Sequence, residues 1–109
     1  MEEKDLAIIA EFKRRIPDDI LNHVKRLMLF GSRARGKAPE DSDMDIVALV
    51  DEKSSAIENR LSDIVYSVMW DFNFKPIISL KVFSESRFKT AVERGFSFYK
   101  NVEREGIVL

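Results

Sequence analysis

A chain of 109 residues, 45% hydrophobic and 34% charged, is expected to fold as one compact domain that buries roughly two-thirds of its unfolded surface around a single core. It has no cysteine and one histidine, His23, which excludes disulfide scaffolds, cysteine nucleophiles, thiolate zinc, iron–sulfur clusters and His-rich metal sites, so any metal must be held by oxygen. Lys+Arg of 18 against Asp+Glu of 19 leave a net charge of −1, which argues against direct nucleic-acid binding. Uncharged runs such as Leu27–Ser32 and Ile46–Val50 fall far short of the ~20 residues of a membrane span, so the expectation is a cytoplasmic protein without membrane contact.

In chain order, Leu6, Ile9, Phe12 and Ile16 recur at helical spacing and predict a first helix over about 3–15, ended by Pro17-Asp18-Asp19. A short helical turn leads to the apolar run Leu27-Met28-Leu29-Phe30, read as a buried strand that stops at Gly31; Ile46–Val50 is a second such run. Ser55-Ala56-Ile57-Glu58 has capping-box spacing and opens a helix whose stripe is Ile57, Leu61, Ile64, Val65 and Val68. Pro76 introduces a third strand, Ile77–Phe83, and Ser84 is the predicted N-cap of a helix to about Glu93. A last helical stretch, Phe96–Arg104, is broken by Gly106 before the apolar end Ile107-Val108-Leu109. The fold class is α+β or α/β, with a small sheet of three or four strands.

The long connection between the first two strands carries the chemistry. Its charges are segregated: Lys25, Arg26, Arg33, Arg35 and Lys37 precede Glu40, Asp41, Asp43 and Asp45. A phosphate-loop reading of Gly31, Gly36 and Lys37 fails at Ala38, which lacks the magnesium-binding hydroxyl, and at Pro39, where no long helix begins. A second arrangement fits better. Strand period places Asp43 and Asp45 on one face roughly 7 Å apart, where their oxygens can converge on a hard divalent cation. Gly31 would let backbone approach a phosphate, Ser32 would offer a hydroxyl and an N–H, and Arg33 or Arg35 would neutralise phosphate oxygens.

The segment Gly31-Ser32-Arg33-Ala34-Arg35-Gly36, followed by Ser42-Asp43-Met44-Asp45-Ile46, resembles the G-S-x-A-R-G…S-D-x-D-L signature of the polymerase-β-like nucleotidyltransferases, and the short chain is similar to their minimal branch. The resemblance implies a polymerase-β-type fold, a small mixed sheet flanked by helices. It also implies Mg²⁺-dependent transfer of a nucleoside monophosphate, AMP from ATP foremost, to a hydroxyl. Asp43 and Asp45 would be the catalytic and metal-holding acids, and Gly31, Ser32, Arg33, Arg35 and Ser42 the nucleotide-binding set.

In that family a third carboxylate on a later strand completes a second metal site. Here the strand reads Ile77-Ile78-Ser79-Leu80-Lys81-Val82-Phe83, with Ser79 and Lys81 where an acid is expected and only Glu85 and Asp71 nearby in sequence. Lys81 is thereby a candidate for the place of the second cation. Free-standing minimal nucleotidyltransferases resemble the antitoxins of toxin–antitoxin pairs, so the resemblance implies a helical HEPN-type toxin as partner and acceptor. The alternative is a nucleotide-binding module, catalytically weakened, that neutralises its partner by complex formation. Of the two aromatic groups, Trp70, Phe72, Phe74 and Phe96, Phe98, Tyr99, most are expected in the core; any that are exposed would mark a partner or self-association surface. His23 is read as a surface or cap residue rather than a base, and the methionines as core filling.

Overall fold

A computed structural model describes residues 2–36, 39 and 41–109. Lys37 and Glu40 of the two charged blocks, and Ala38 of the phosphate-loop alternative, lie outside the described residues. The elements are α1 (Glu3–Arg15), α2 (Asp18–Leu21), β1 (Val24–Phe30), β2 (Met44–Val50), α3 (Ser55–Asp71), β3 (Ile78–Ser84), α4 (Glu85–Glu93), α5 (Ser97–Glu105) and β4 (Ile107–Val108). They form a four-stranded mixed sheet in the order β3-β2-β1-β4. Strand β1 pairs antiparallel with β2 and with β4, while β2 and β3 run parallel. That parallel pair requires a crossover, and α3 supplies it.

The alternation of the strands sorts their side chains onto two faces. Leu27, Leu29, Ile46, Ala48, Val50 and Val82 face α1 and α3, packing on Ile8, Ile9, Phe12, Leu61, Val65 and Val68. Met28, Val47 and Leu49 face the other way, onto Phe88 of α4 and Val102 of α5, with Phe30, Phe83, Phe98 and Tyr99 completing an aromatic cluster. Edge-on ring contacts tie that cluster together, Phe30 to Phe98 at 5.7 Å and Phe83 to Tyr99 at 5.3 Å between centroids.

Helix α1 has the expected bounds but a different buried stripe. Its buried residues are Asp5, Ile8, Ile9 and Phe12, whereas Leu6 is 51% exposed. At about 100° per residue, Leu6 sits a quarter-turn off a face that Asp5 shares with Ile8 and Phe12. The cap of α3 also moves by one residue: the Ser54 hydroxyl accepts from the Ile57 N–H at 3.2 Å, so Ser54 and not Ser55 is the N-cap. Ser84 caps α4 as expected, accepting from the Arg87 N–H.

The chain end, read only as an apolar tail, is the fourth strand: Ile107 pairs with Leu29 and Val108 with Met28, and the Leu109 N–H donates to the Leu27 carbonyl at 2.9 Å. It covers an edge of β1 that would otherwise leave backbone groups unpaired. The aromatic expectation is corrected for two residues. Phe98 and Tyr99 pack in the second core, but Trp70 is 65% and Phe96 55% exposed. Among the described residues no helix is long and apolar enough to cross a membrane.

Candidate active site

Strand β1 ends at Phe30, and Gly31 turns the chain with φ +85°, a left-handed conformation that favours glycine. The following turn is closed by the Arg35 N–H donating to the Gly31 carbonyl and the Gly36 N–H to that of Arg33. Asp45 lies directly across from Phe30 on β2 and beside Ser79 on β3. A Cβ at Gly31 would stand 2.7 Å from Asp45 Oδ2. The carboxylate therefore occupies space that any side chain at position 31 would claim.

Asp43 is exposed just before β2, and Met44 between the two acids is fully buried against the α1/α3 face. Alternation puts Asp45 on the opposite side, and Asp43, one residue ahead of the strand, is near enough for its charge to act on Asp45. Burial pushes the Asp45 carboxyl above its ordinary value; the Lys81 ammonium opposes this, and the negative charge of Asp43 adds to it. Asp45 thus sits in an unfavourable setting that a divalent cation would relieve.

The turn is fastened to the start of β2 from two sides. The Ser32 hydroxyl donates to the Ser42 hydroxyl at 3.4 Å. Arg33 donates to the Ser42 carbonyl through Nε at 3.1 Å and Nη2 at 2.8 Å, and through Nη1 to Asp5 Oδ1 at 2.9 Å. Arg33 is only 6% and Asp5 4% exposed. The two arginines of the signature are therefore in different settings. Arg33 is enclosed between α1 and the loop, while Arg35 is exposed, 3.8 Å from Glu105 at the end of α5. Asp5 was not anticipated; the signal was a carboxylate on the apolar face of a helix, at a position where its burial requires a partner.

Ser79 stands in register with Asp45, and Lys81 with Val47; Lys81 Nζ donates to the Ser79 hydroxyl at 3.4 Å. Neither acid nearby in sequence reaches this point. Asp71 is engaged by Arg15, and Glu85 begins α4 beyond the far end of β3, roughly 17 Å or more from Ser79 at strand rise. Among the described residues no three acids or histidines are grouped to hold a metal. The two carboxylates present would suit one hard divalent cation, with water and phosphate supplying further oxygens. His23 is remote, at the opposite end of β1, with Nδ1 3.0 Å from both Asp51 oxygens.

A mixed sheet, a glycine-serine turn and two acids at the start of the next strand are the marks of a nucleotidyltransferase. The chain belongs to the nucleotidyltransferase domain family, whose profile matches residues 7–109, and it is a minimal member of it. Two curated relatives from Methanocaldococcus jannaschii are similar to it. "Putative protein adenylyltransferase MJ0141" is 37% identical over 84 residues, covering 74% of this chain and 85% of the relative. "Putative protein adenylyltransferase MJ0604" is 30% identical over 101 residues, covering 93% of each.

Proposed function

We propose that this chain is a Mg²⁺-dependent adenylyltransferase that moves AMP from ATP to a hydroxyl on a partner protein. The observation that carries the reading is the pair Asp43 and Asp45, the second desolvated and pressed against Gly31 at the mouth of a glycine-serine turn. The printed names of both relatives describe protein adenylyl transfer, which supports ATP as donor and a protein as acceptor. In the reaction the acceptor oxygen bonds the α-phosphorus, the bond from that phosphorus to the bridging oxygen breaks, pyrophosphate leaves with the electron pair, and the hydroxyl proton passes to water. A divalent cation held by Asp43 and Asp45 would offset the charge of the phosphate oxygens.

The chain's own groups do the rest. Ser32 and the N–H groups of the turn bind phosphate; Arg35, exposed beside the turn, neutralises it. Arg33 acts through Ser42, holding the carbonyl that precedes Asp43. The acceptor proposed is a partner protein, the helical HEPN-type toxin that the family resemblance implies. An exposed aromatic face supports protein contact: Trp70 and Tyr66, 57% exposed, both meet the ring of Phe74, with Ile77 exposed nearby.

The second reading, a nucleotide-binding module that neutralises by complex formation, is favoured by Ser79 and Lys81 standing where an acid is expected. Calorimetric titration of ATP, with and without Mg²⁺, is the first test. Wild type is expected to bind in a metal-dependent manner and Asp43→Asn/Asp45→Asn to lose that binding; equal binding by both proteins refutes the site. Labelled ATP with the partner then separates the readings: label on the partner supports transfer, and a stable unlabelled complex supports the module.

A further inference from the structure

Strand β3 places a cation of the chain's own beside the acids. Neighbouring strands lie about 4.8 Å apart, so the in-register pairing of Ser79 with Asp45 sets the two side chains next to each other on the open face of the sheet. Lys81 is two residues further along the same face. Its four-carbon stem brings Nζ back to within 3.4 Å of the Ser79 hydroxyl, the residue in register with Asp45, so the ammonium charge acts on the Asp45 carboxyl while staying open to solvent. Helices α4 and α5 cover Val47, Leu49, Phe30 and Phe83 on this face, while Lys81 remains accessible.

We infer that the site takes one divalent cation, held by Asp43 and Asp45, and that the Lys81 ammonium, steadied by the Ser79 hydroxyl, fills the position of a second cation and contacts the nucleotide phosphates directly. Two physical reasons carry this. A second divalent ion at Ser79 would find no carboxylate on β3, would have to share those of Asp43 and Asp45, and would face the Lys81 positive charge, a repulsion in place of a further ligand. A lysine ammonium is a compact point charge with three donors, suited to phosphate oxygens without any metal. The charge of Lys81 already acts on Asp45, holding its carboxyl below where burial alone would set it. A consequence is that part of the nucleotide affinity survives removal of metal, because Lys81 still meets the phosphates.

The inference rests on the nucleotide site proposed above, and the test separates the two. Mn²⁺ bound per chain is counted by electron paramagnetic resonance at saturating α,β-methylene ATP, which cannot transfer its nucleotide, and analogue affinity is measured in EDTA by calorimetry. Wild type is expected to take one Mn²⁺ per chain, and Ser79→Asp/Lys81→Met to take two. In EDTA, Lys81→Met is expected to weaken the analogue about tenfold or more, the size of a lost charge-assisted hydrogen bond, and Lys81→Arg to retain most of the affinity. Because Lys81 is exposed, an unchanged melting temperature separates these effects from misfolding. Two Mn²⁺ per wild-type chain, or Lys81→Met with unaltered metal-free affinity, overturns the inference and leaves the nucleotide site standing. No analogue binding with or without Mn²⁺ overturns both.

Discussion

Gly31 and Asp45 share a space that holds only one side chain. Gly31→Ala would need a left-handed alanine and would place its Cβ 2.7 Å from Asp45 Oδ2, so the carboxylate must move. The expected outcome is a loss of about 1–2 kcal/mol in denaturant stability and at least a tenfold weaker response to Mg²⁺ in the ATP titration. Asp5 and Arg33 are joined more tightly still, as a buried ion pair. Asp5→Ala removes a buried carboxylate that the Arg33 guanidinium meets at 2.9 Å and is expected to destabilise by about 3 kcal/mol. Since Arg33 also holds the Ser42 carbonyl, this variant should weaken ATP binding although Asp5 touches no phosphate. Urea unfolding and calorimetry on the same sample check both statements.

Among the elements, the short strand β4 depends on the helix before it. The Gly106 N–H closes α5 on the Val102 carbonyl at 2.8 Å, and a Cβ at Gly106 would lie 2.5 Å from that same oxygen. That neighbour is backbone and cannot swing aside. Gly106→Ala is therefore expected to displace Ile107–Leu109 from β1, cost about 1–3 kcal/mol, and accelerate amide exchange of Leu109, whose N–H bonds Leu27. Unchanged protection there would show that the helix end absorbs the methyl. Helix α1 shows the same dependence on a neighbour: its apolar spacing fixed the bounds, but Asp5 takes a core-facing position that periodicity alone assigns to hydrophobic residues, because Arg33 arrives from the loop to meet it.

Across the whole molecule, the acids make stability and function oppose each other. The Asp45 carboxyl is raised above its ordinary 3.8 in the folded protein, burial being the largest cause. A raised carboxyl favours folding while protonated, below that ordinary value, and the contribution is lost as pH rises through the folded-state value. Without metal, Asp45→Asn should therefore melt about 1–4 °C above wild type at pH 7, the scale of relieving a small electrostatic penalty in a chain of this length, and the gap should close toward acid. Mg²⁺ with ATP should stabilise wild type clearly more than Asp45→Asn, which keeps only the metal-independent part of the nucleotide affinity. Melting curves from pH 3 to 8, with EDTA or Mg²⁺·ATP, read both effects. Glu11 acts in the opposite sense: the guanidiniums of Arg14 and Arg15 hold it down at about 2 from 4.5, so its contribution is present above 4.5 and lost as pH falls toward that lower value.

Local chemistry made much of this molecule legible from its sequence. Continuous apolar runs at 27–30 and 46–50, the 3.6-residue stripe at 57–68, and Ser84 ahead of α4 are signals that act within a few residues. So are a glycine that ends a strand and two aspartates separated by one residue, and these located the candidate site. Tertiary structure decided what depends on residues distant in the chain. The burial of Arg33 needed Asp5, 28 residues away; the strand role of Ile107-Val108 needed the open edge of β1; and the exposure of Trp70 depended on which face of α3 the sheet covered. Whether Ser79 or Lys81 would meet Asp45 was a matter of strand register, set by how β2 and β3 pair across a 17-residue helix. Periodicity records which face of an element is apolar, but only packing determines what that face meets.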